Sequence, residues 1–211
     1  MTGHRSHAPR GHRLSRRDCL VSGVALVAGA SSWAQAAAPA APALPALPAA
    51  PALPAELAAE LPQARLQGSG RLRFFGLRIY DIRLWAGTGW VGAQWAGVPL
   101  ALELEYARNF DGAQIAERSL TEMRRLGEPA ADVAERWLAA MKKMFPDVRE
   151  GDRITGVNLP GQGARFFHNG APRGEVRDAE FARMFFGIWL SPRTSEPSLR
   201  EALLGAGRAT S

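Results

Sequence analysis

The run from Gly68 to Trp85 reads Gly-Ser-Gly-Arg-Leu-Arg-Phe-Phe-Gly-Leu-Arg-Ile-Tyr-Asp-Ile-Arg-Leu-Trp, which dictates two adjacent strands. Its residues are β-branched, aromatic and aliphatic, glycine punctuates them, and a tight link is expected near Gly76. In the second strand Leu77 and Ile79 fall on one face, and Tyr80, Ile82 and Leu84 on the other. Apolar groups on both faces imply a strand covered on both sides. Arg71, Arg73, Arg78, Asp81 and Arg83 run through the same stretch. A charge in a covered strand needs a counter-charge, water or a ligand, which makes this stretch the candidate functional site. Arginines that snorkel to an edge, with Asp81 paired to one of them, would give the same pattern.

Charge excludes one class of partner. The 211 residues carry a formal charge of +6. Arg5, Arg10, Arg13, Arg16 and Arg17 precede residue 37, against Asp18 alone. Taking these from 26 basic and 20 acidic residues leaves 21 against 19, so the remainder gives no electrostatic reason to expect nucleic acid. Cys19 is the single cysteine, and beyond the first 36 residues His168 is the single histidine. A disulfide within the rest of the chain and a Cys/His zinc site are both excluded by counting, and no cofactor is expected.

Residues 1–36 read as a cleaved export signal. Ser15-Arg16-Arg17-Asp18-Cys19-Leu20 resembles the twin-arginine consensus, and an apolar run to Ala30 follows. That run is shorter than the roughly 20 residues a bilayer span needs, so no membrane span is expected in the mature chain. Ala34-Gln35-Ala36 supplies a small-x-small cleavage site after Ala36, and the mature chain is expected in the periplasm. From Pro39 to Pro54 a proline recurs every third residue, the period of a polyproline helix. Residues 37–63 are therefore expected to be a semi-rigid spacer, with a short helical entry at 56–61. The folded domain is expected over 64–206, followed by a tail at 207–211.

Within the domain, Gly87-Thr-Gly-Trp-Val-Gly92 matches G-x-G-x-x-G but precedes a strand rather than a helix, so it is read as a loop. Leu100 to Tyr106 alternates as a strand. Asp111, with Gln114 three residues on, is expected to cap a helix carrying Ile115, Ser119, Met123 and Leu126. Val133, Trp137, Met141, Met144 and Phe145 stripe a second helix. Strands follow at 152–159, 164–168 and 171–176, with Asn169-Gly170 as the turn between the last two. Asp178 is expected to cap a helix with Phe181, Met184, Phe185, Ile188 and Trp189 on one face, and Pro197 to start a last one. The order of elements is that of an α+β domain with a mostly antiparallel sheet and helices on a face.

Gly68-Ser-Gly-Arg, Arg78-Ile-Tyr-Asp, Gly151-Asp-Arg, Leu159-Pro-Gly-x-Gly163 and Phe186-Gly-Ile-Trp-Leu190, in this order, resemble the chalcone isomerase-like family in its exported bacterial branch. The resemblance implies an open-faced β-sandwich, with an apolar cleft between the sheet and a layer of helices. Plant members of the family close a flavanone ring by adding a phenolate to an unsaturated ketone, and other members bind fatty acids. The first chemistry needs a guanidinium for the phenolate and a hydroxyl donor for the enolate. A binder needs the same cation and the same apolar wall.

An ungapped pairing puts Leu72 at the family's arginine position. It is flanked by Arg71 and Arg73, one of which serves if the register slips by one. Tyr80 falls where plant enzymes place a threonine, and the hydroxyl position on the last long helix falls near Gly187. Arg71, Arg73 and Tyr80 are thus expected at the polar end, with Tyr106 and Asn109 as further ligand contacts. Met123, Trp137, Met141, Phe185 and Trp189 are expected to form the apolar wall. The expected function is binding of a small apolar or amphipathic ligand. An isomerase of the chalcone–flavanone type and a structural partner of an envelope complex are the alternatives.

Overall fold

A computed structural model describes residues 51–205. The export signal with its cleavage after Ala36, most of the alanine/proline run and the tail lie outside the described residues. Six antiparallel strands pair in sequence order: β1 (Arg65–Phe74), β2 (Leu77–Ala86), β3 (Leu100–Tyr106), β4 (Arg153–Leu159), β5 (Gly163–His168) and β6 (Ala171–Val176). The helices are α1 (Ala55–Glu60), α2 (Gly112–Leu126), α3 (Ala131–Met144), α4 (Ala179–Leu190) and α5 (Pro197–Leu204). Among the described residues no helix is long and apolar enough to cross a membrane.

Both tight hairpins turn where the sequence dictates. Phe75 (φ 47°) and Gly76 (φ 78°) join β1 to β2, and Asn169 (φ 49°) and Gly170 (φ 83°) join β5 to β6. Two successive positive φ values give the turn whose twist matches that of the strands. Asparagine and glycine adopt them readily; phenylalanine does not.

Side-chain alternation then sorts the sheet into two faces. The inner face carries Leu72, Tyr80, Ile82, Leu84, Leu102, Leu104, Ile154 and Phe166, and α2, α3 and α4 pack over it to make the main core. The outer face of β2 is covered at one end only, a correction to the expectation of cover along the whole strand. There Leu57 of α1 is fully buried with Ala64, Trp85, Ala101, Val157 and Phe167. Glu56 Oε1 accepts from Thr155 Oγ1 at 3.0 Å, and Glu60 pairs with Arg165 at 2.6 Å. Residues 55–60, expected within the spacer, are therefore part of the fold.

Farther along, the outer face is polar. Buried Glu103 is held by Arg83 (3.2 Å), Arg153 (3.0 Å) and the Trp85 indole N–H (3.0 Å), so no carboxylate oxygen is left bare. The arrangement is that of an open-faced sandwich. Glycines 87, 89 and 92 form a loop and a 3-10 turn (Gly92–Gly97) that tucks Trp95 into the core.

Asp178 caps α4 as expected, taking the Glu180 and Phe181 amides on Oδ1 while Oδ2 accepts from the Trp137 indole at 2.9 Å. Asp111 does not cap α2 through its side chain: its carboxylate takes Gln114 Nε2 at 2.8 Å. The Gly112 amide is bound instead by Asp147 Oδ1 at 2.9 Å. Gly112 lies so close to the Phe145 and Pro146 backbone that a Cβ has no room, and this approach carries Asp147 to the helix start.

The glycines opening β1 have a similar role. A Cβ on Gly68 would run into the carbonyls of Ala202 and Leu203, and one on Gly70 into the Leu199 side chain. Their bareness lets α5 lie directly on β1. Gly68→Ala is expected to cost about 1–3 kcal/mol, because it meets backbone that cannot move aside. Gly70→Ala is expected to cost less, since Leu199 can change rotamer. Urea denaturation of the two variants checks the order.

Candidate ligand cleft

Where α2 and α4 diverge from the β1–β3 side of the sheet, a cleft of about 430 Å³ remains. This lies within the range of roughly 300–1,000 Å³ typical of small-molecule sites. Its deep end is aromatic: Phe145, Phe166 and Phe185 stand around Gly156, all buried. Phe166 and Phe185 meet edge to face at 5.1 Å. Gly156 adds depth, since a Cβ there would stand 3.2 Å from the Phe166 ring. At the mouth the lining residues Phe74, Gln114, Arg118 and Glu196 are exposed.

The register of β1 and β2 explains what reaches the cleft. Leu72 pairs with Tyr80 and Arg73 with Arg78, so Ile79 is an extra residue on β2. Such a bulge re-aims side chains, and Ile79 and Tyr80 both line the cleft despite being consecutive. Leu72 faces the cleft too.

Arg71 and Arg73, expected at the polar end, lie outside the lining. Arg71 makes a two-pronged pair with Asp81 (2.6 and 2.9 Å), joined by Arg78 at 2.6 Å, while Arg73 donates to the Gly76 carbonyl. The hydrogen bond from Arg71, with help from Arg78, holds the Asp81 carboxyl below the usual carboxylate range. Of the other expected residues, Tyr80, Tyr106, Phe185 and Trp189 line the cleft together. Asn109 sits at an exposed turn, accepting from the Glu150 amide at 3.2 Å. Met123, Trp137 and Met141 are buried in the main core and do not line the cleft; Trp137 meets Phe181 of α4 edge to face at 5.7 Å. Gly187 also points away, toward Leu126 and Trp95.

Sequence reasoning passed over Arg118, Glu122 and Ser195, and named Ser119 only as part of a helix face. Arg118 and Glu122, four residues apart, look like an ordinary surface pair on a helix. The available signal was that Ile115, Arg118, Ser119 and Glu122 share one helical face. Glu122 is buried, and its Oε2 accepts from Ser195 Oγ at 2.9 Å. Arg118, with a side chain 66% exposed, stands 2.7 Å from Glu122 Oε1 but out of line, leaving that oxygen without a directed hydrogen bond.

The two tyrosines are donors. The Tyr80 hydroxyl accepts from the Trp189 indole at 2.9 Å, and among the described residues nothing takes its own proton. The Tyr106 hydroxyl has no partner among them, and the two rings meet edge to face at 5.9 Å. Burial pushes both phenols above their ordinary value, because the phenolate would lose hydration. Both therefore offer a hydrogen to a ligand oxygen at neutral pH.

This is a domain of one antiparallel sheet covered on one face by helices, with an apolar cleft between them. A chalcone isomerase-like family model matches residues 52–205, and the chain belongs to that family. An uncharacterized protein of Haemophilus influenzae is 32% identical over 107 residues, 51% of this chain and 52% of that protein. The chain thus matches about half the length of that relative. The fold is similar to the crystal structure of an Arabidopsis thaliana fatty-acid binding protein. The TM-score is 0.52 at 13% identity, over 68% of this chain and 88% of that one.

Tyr80 and Tyr106 are the only tyrosines in the chain, so an ultraviolet titration reads the cleft directly. No tyrosinate absorbance is expected as pH passes about 10, the ordinary phenol range, while the fold persists. The unfolded chain ionises first. The stability these phenols contribute is full below that value and falls as pH rises above it.

Proposed function

We propose that this protein binds a small amphipathic ligand, a fatty acid or a molecule of similar build, in the cleft. The observation carrying this is the cleft's polarity: a buried aromatic end, two desolvated tyrosine hydroxyls on the lining, and the exposed Arg118 guanidinium at the mouth. A hydrocarbon chain gains about 0.8 kcal/mol for each buried CH₂, which favours the deep end. A carboxyl group finds donors in Tyr80 and Tyr106, and a cation in Arg118 once it swings from Glu122. The description of the Arabidopsis neighbour as a fatty-acid binding protein supports the same ligand class.

Binding is preferred to cyclisation because a phenolate needs a cation held against it inside the site. Arg71 and Arg73 belong to the other face of the sheet, and Arg118 stands at the mouth. The leader-like sequence of residues 1–36 supports a periplasmic setting for this activity.

Native mass spectrometry of protein purified from its own periplasm should show a bound lipid. Titration of the stripped protein with cis-parinaric acid should saturate at one site. Ile115→Trp, which fills the cleft from a half-buried helix position, should weaken that binding roughly tenfold or more while the fold persists. An empty protein that parinaric acid does not saturate would overturn the proposal, and loss of the enone absorbance of an added chalcone would favour the isomerase. Separately, Arg16→Lys with Arg17→Lys should leave full-length precursor in the cytoplasm, read by immunoblot of cell fractions.

A further inference from the structure

The β1–β2 turn carries a feature that the cleft does not use. Phe74, Phe75 and Leu77 are 58%, 89% and 51% exposed, three of the four large apolar side chains that stand out of the described fold. Phe75, the barest, occupies a left-handed backbone conformation that asparagine or glycine would fill without strain. Around the turn stand Arg71, Arg73 and Arg78; Asp81 pairs with Arg71 and Arg78 while Arg73 donates to the Gly76 carbonyl, so the collar is cationic by two charges. Phe74 is shared: it protrudes at the turn and also lines the mouth of the cleft.

An apolar tip ringed by arginines fits a lipid–water boundary. Aromatic and aliphatic side chains enter the acyl region, and guanidinium groups stay among the phosphates. Each cation near an anionic leaflet adds attraction. A protein surface is a poorer match, since the tip is a two-residue hairpin turn whose Phe75 stands 89% exposed. We propose that the β1–β2 turn docks this protein on an anionic lipid bilayer, bringing the mouth of the cleft to the membrane surface so that the ligand passes between bilayer and cleft. The transfer step rests on the binding function proposed above; the docking step does not.

The test is co-flotation of the mature full-length chain with vesicles of phosphatidylethanolamine and phosphatidylglycerol, against vesicles of phosphatidylcholine alone. Parinaric acid binding in solution is measured beside it. Binding to the anionic vesicles should weaken with salt. Phe75→Asn should lower it roughly tenfold or more, leave parinaric acid binding unchanged, and keep or raise the melting temperature. A merely structural role would lower that temperature instead. Arg73→Gln should lower anionic-vesicle binding alone.

Wild-type protein that ignores vesicles yet binds parinaric acid would overturn docking and leave the cleft function standing. So would vesicle binding indifferent to Phe75→Asn. Self-association in sedimentation velocity, abolished by Phe75→Asn with no vesicle binding, would assign the tip to contact between copies and also overturn the proposal. Vesicle binding lost with Phe75→Asn in a protein that never takes up parinaric acid would uphold docking and remove the cleft function instead.

Discussion

Successive residues of a pleated strand face opposite ways, and the rest of this protein follows from how β1 obeys that constraint. Leu72 turns inward and meets the cleft, so Arg71 and Arg73 must turn outward. The outward pair finds Asp81 and the turn carbonyl. The inward position keeps the cleft wall apolar. A slip of one residue would exchange these roles along the whole strand, burying guanidinium groups in the core. The apolar inner face and the close seat of α5 on Gly68 and Gly70 both hold the observed register. On β2 the extra residue Ile79 breaks the alternation once, beside the cleft, and so adds a second side chain to its wall.

The indole of Trp189 reaches the hydroxyl of Tyr80 and so ties α4 to β2 beside the cleft. It fixes the ring of Tyr80 and leaves the phenol proton free. Glu122 has a complementary condition, being a buried carboxylate with one oxygen bound and the other lacking a directed donor. These polar groups of the cleft are therefore incompletely satisfied among the described residues, which suits a site that exchanges hydrogen bonds with a guest.

The architecture was legible because it rests on local signals. Asn169-Gly170 defines its hairpin, Asp178 defines the start of α4, and the periodic apolar residues define α2 and α3. The cleft was legible only in part. Tyr80 and Tyr106 were expected through the family resemblance, Phe185 and Trp189 through a helical stripe, and all four line the cleft. Met123, Trp137 and Met141 belong to stripes equally apolar, and only the packing of the helices on one another decides that they are core rather than cleft lining. Asp147 as the cap of α2 and Glu56 as the partner of Thr155 are long-range contacts, which no local pattern encodes. The bulge at Ile79 is likewise a property of two strands together.

The far edge of the sheet has its own consequence. On β6 the residue facing Phe167 is Pro172, the pairing slips at Arg173, and Gly174 lies under Met144 of α3. Proline has no amide hydrogen to offer a newcomer, and the slip kinks the strand away from a straight template. A seventh strand from another molecule would find no regular ladder to extend. The β6 edge is thereby closed to templated growth by its own sequence.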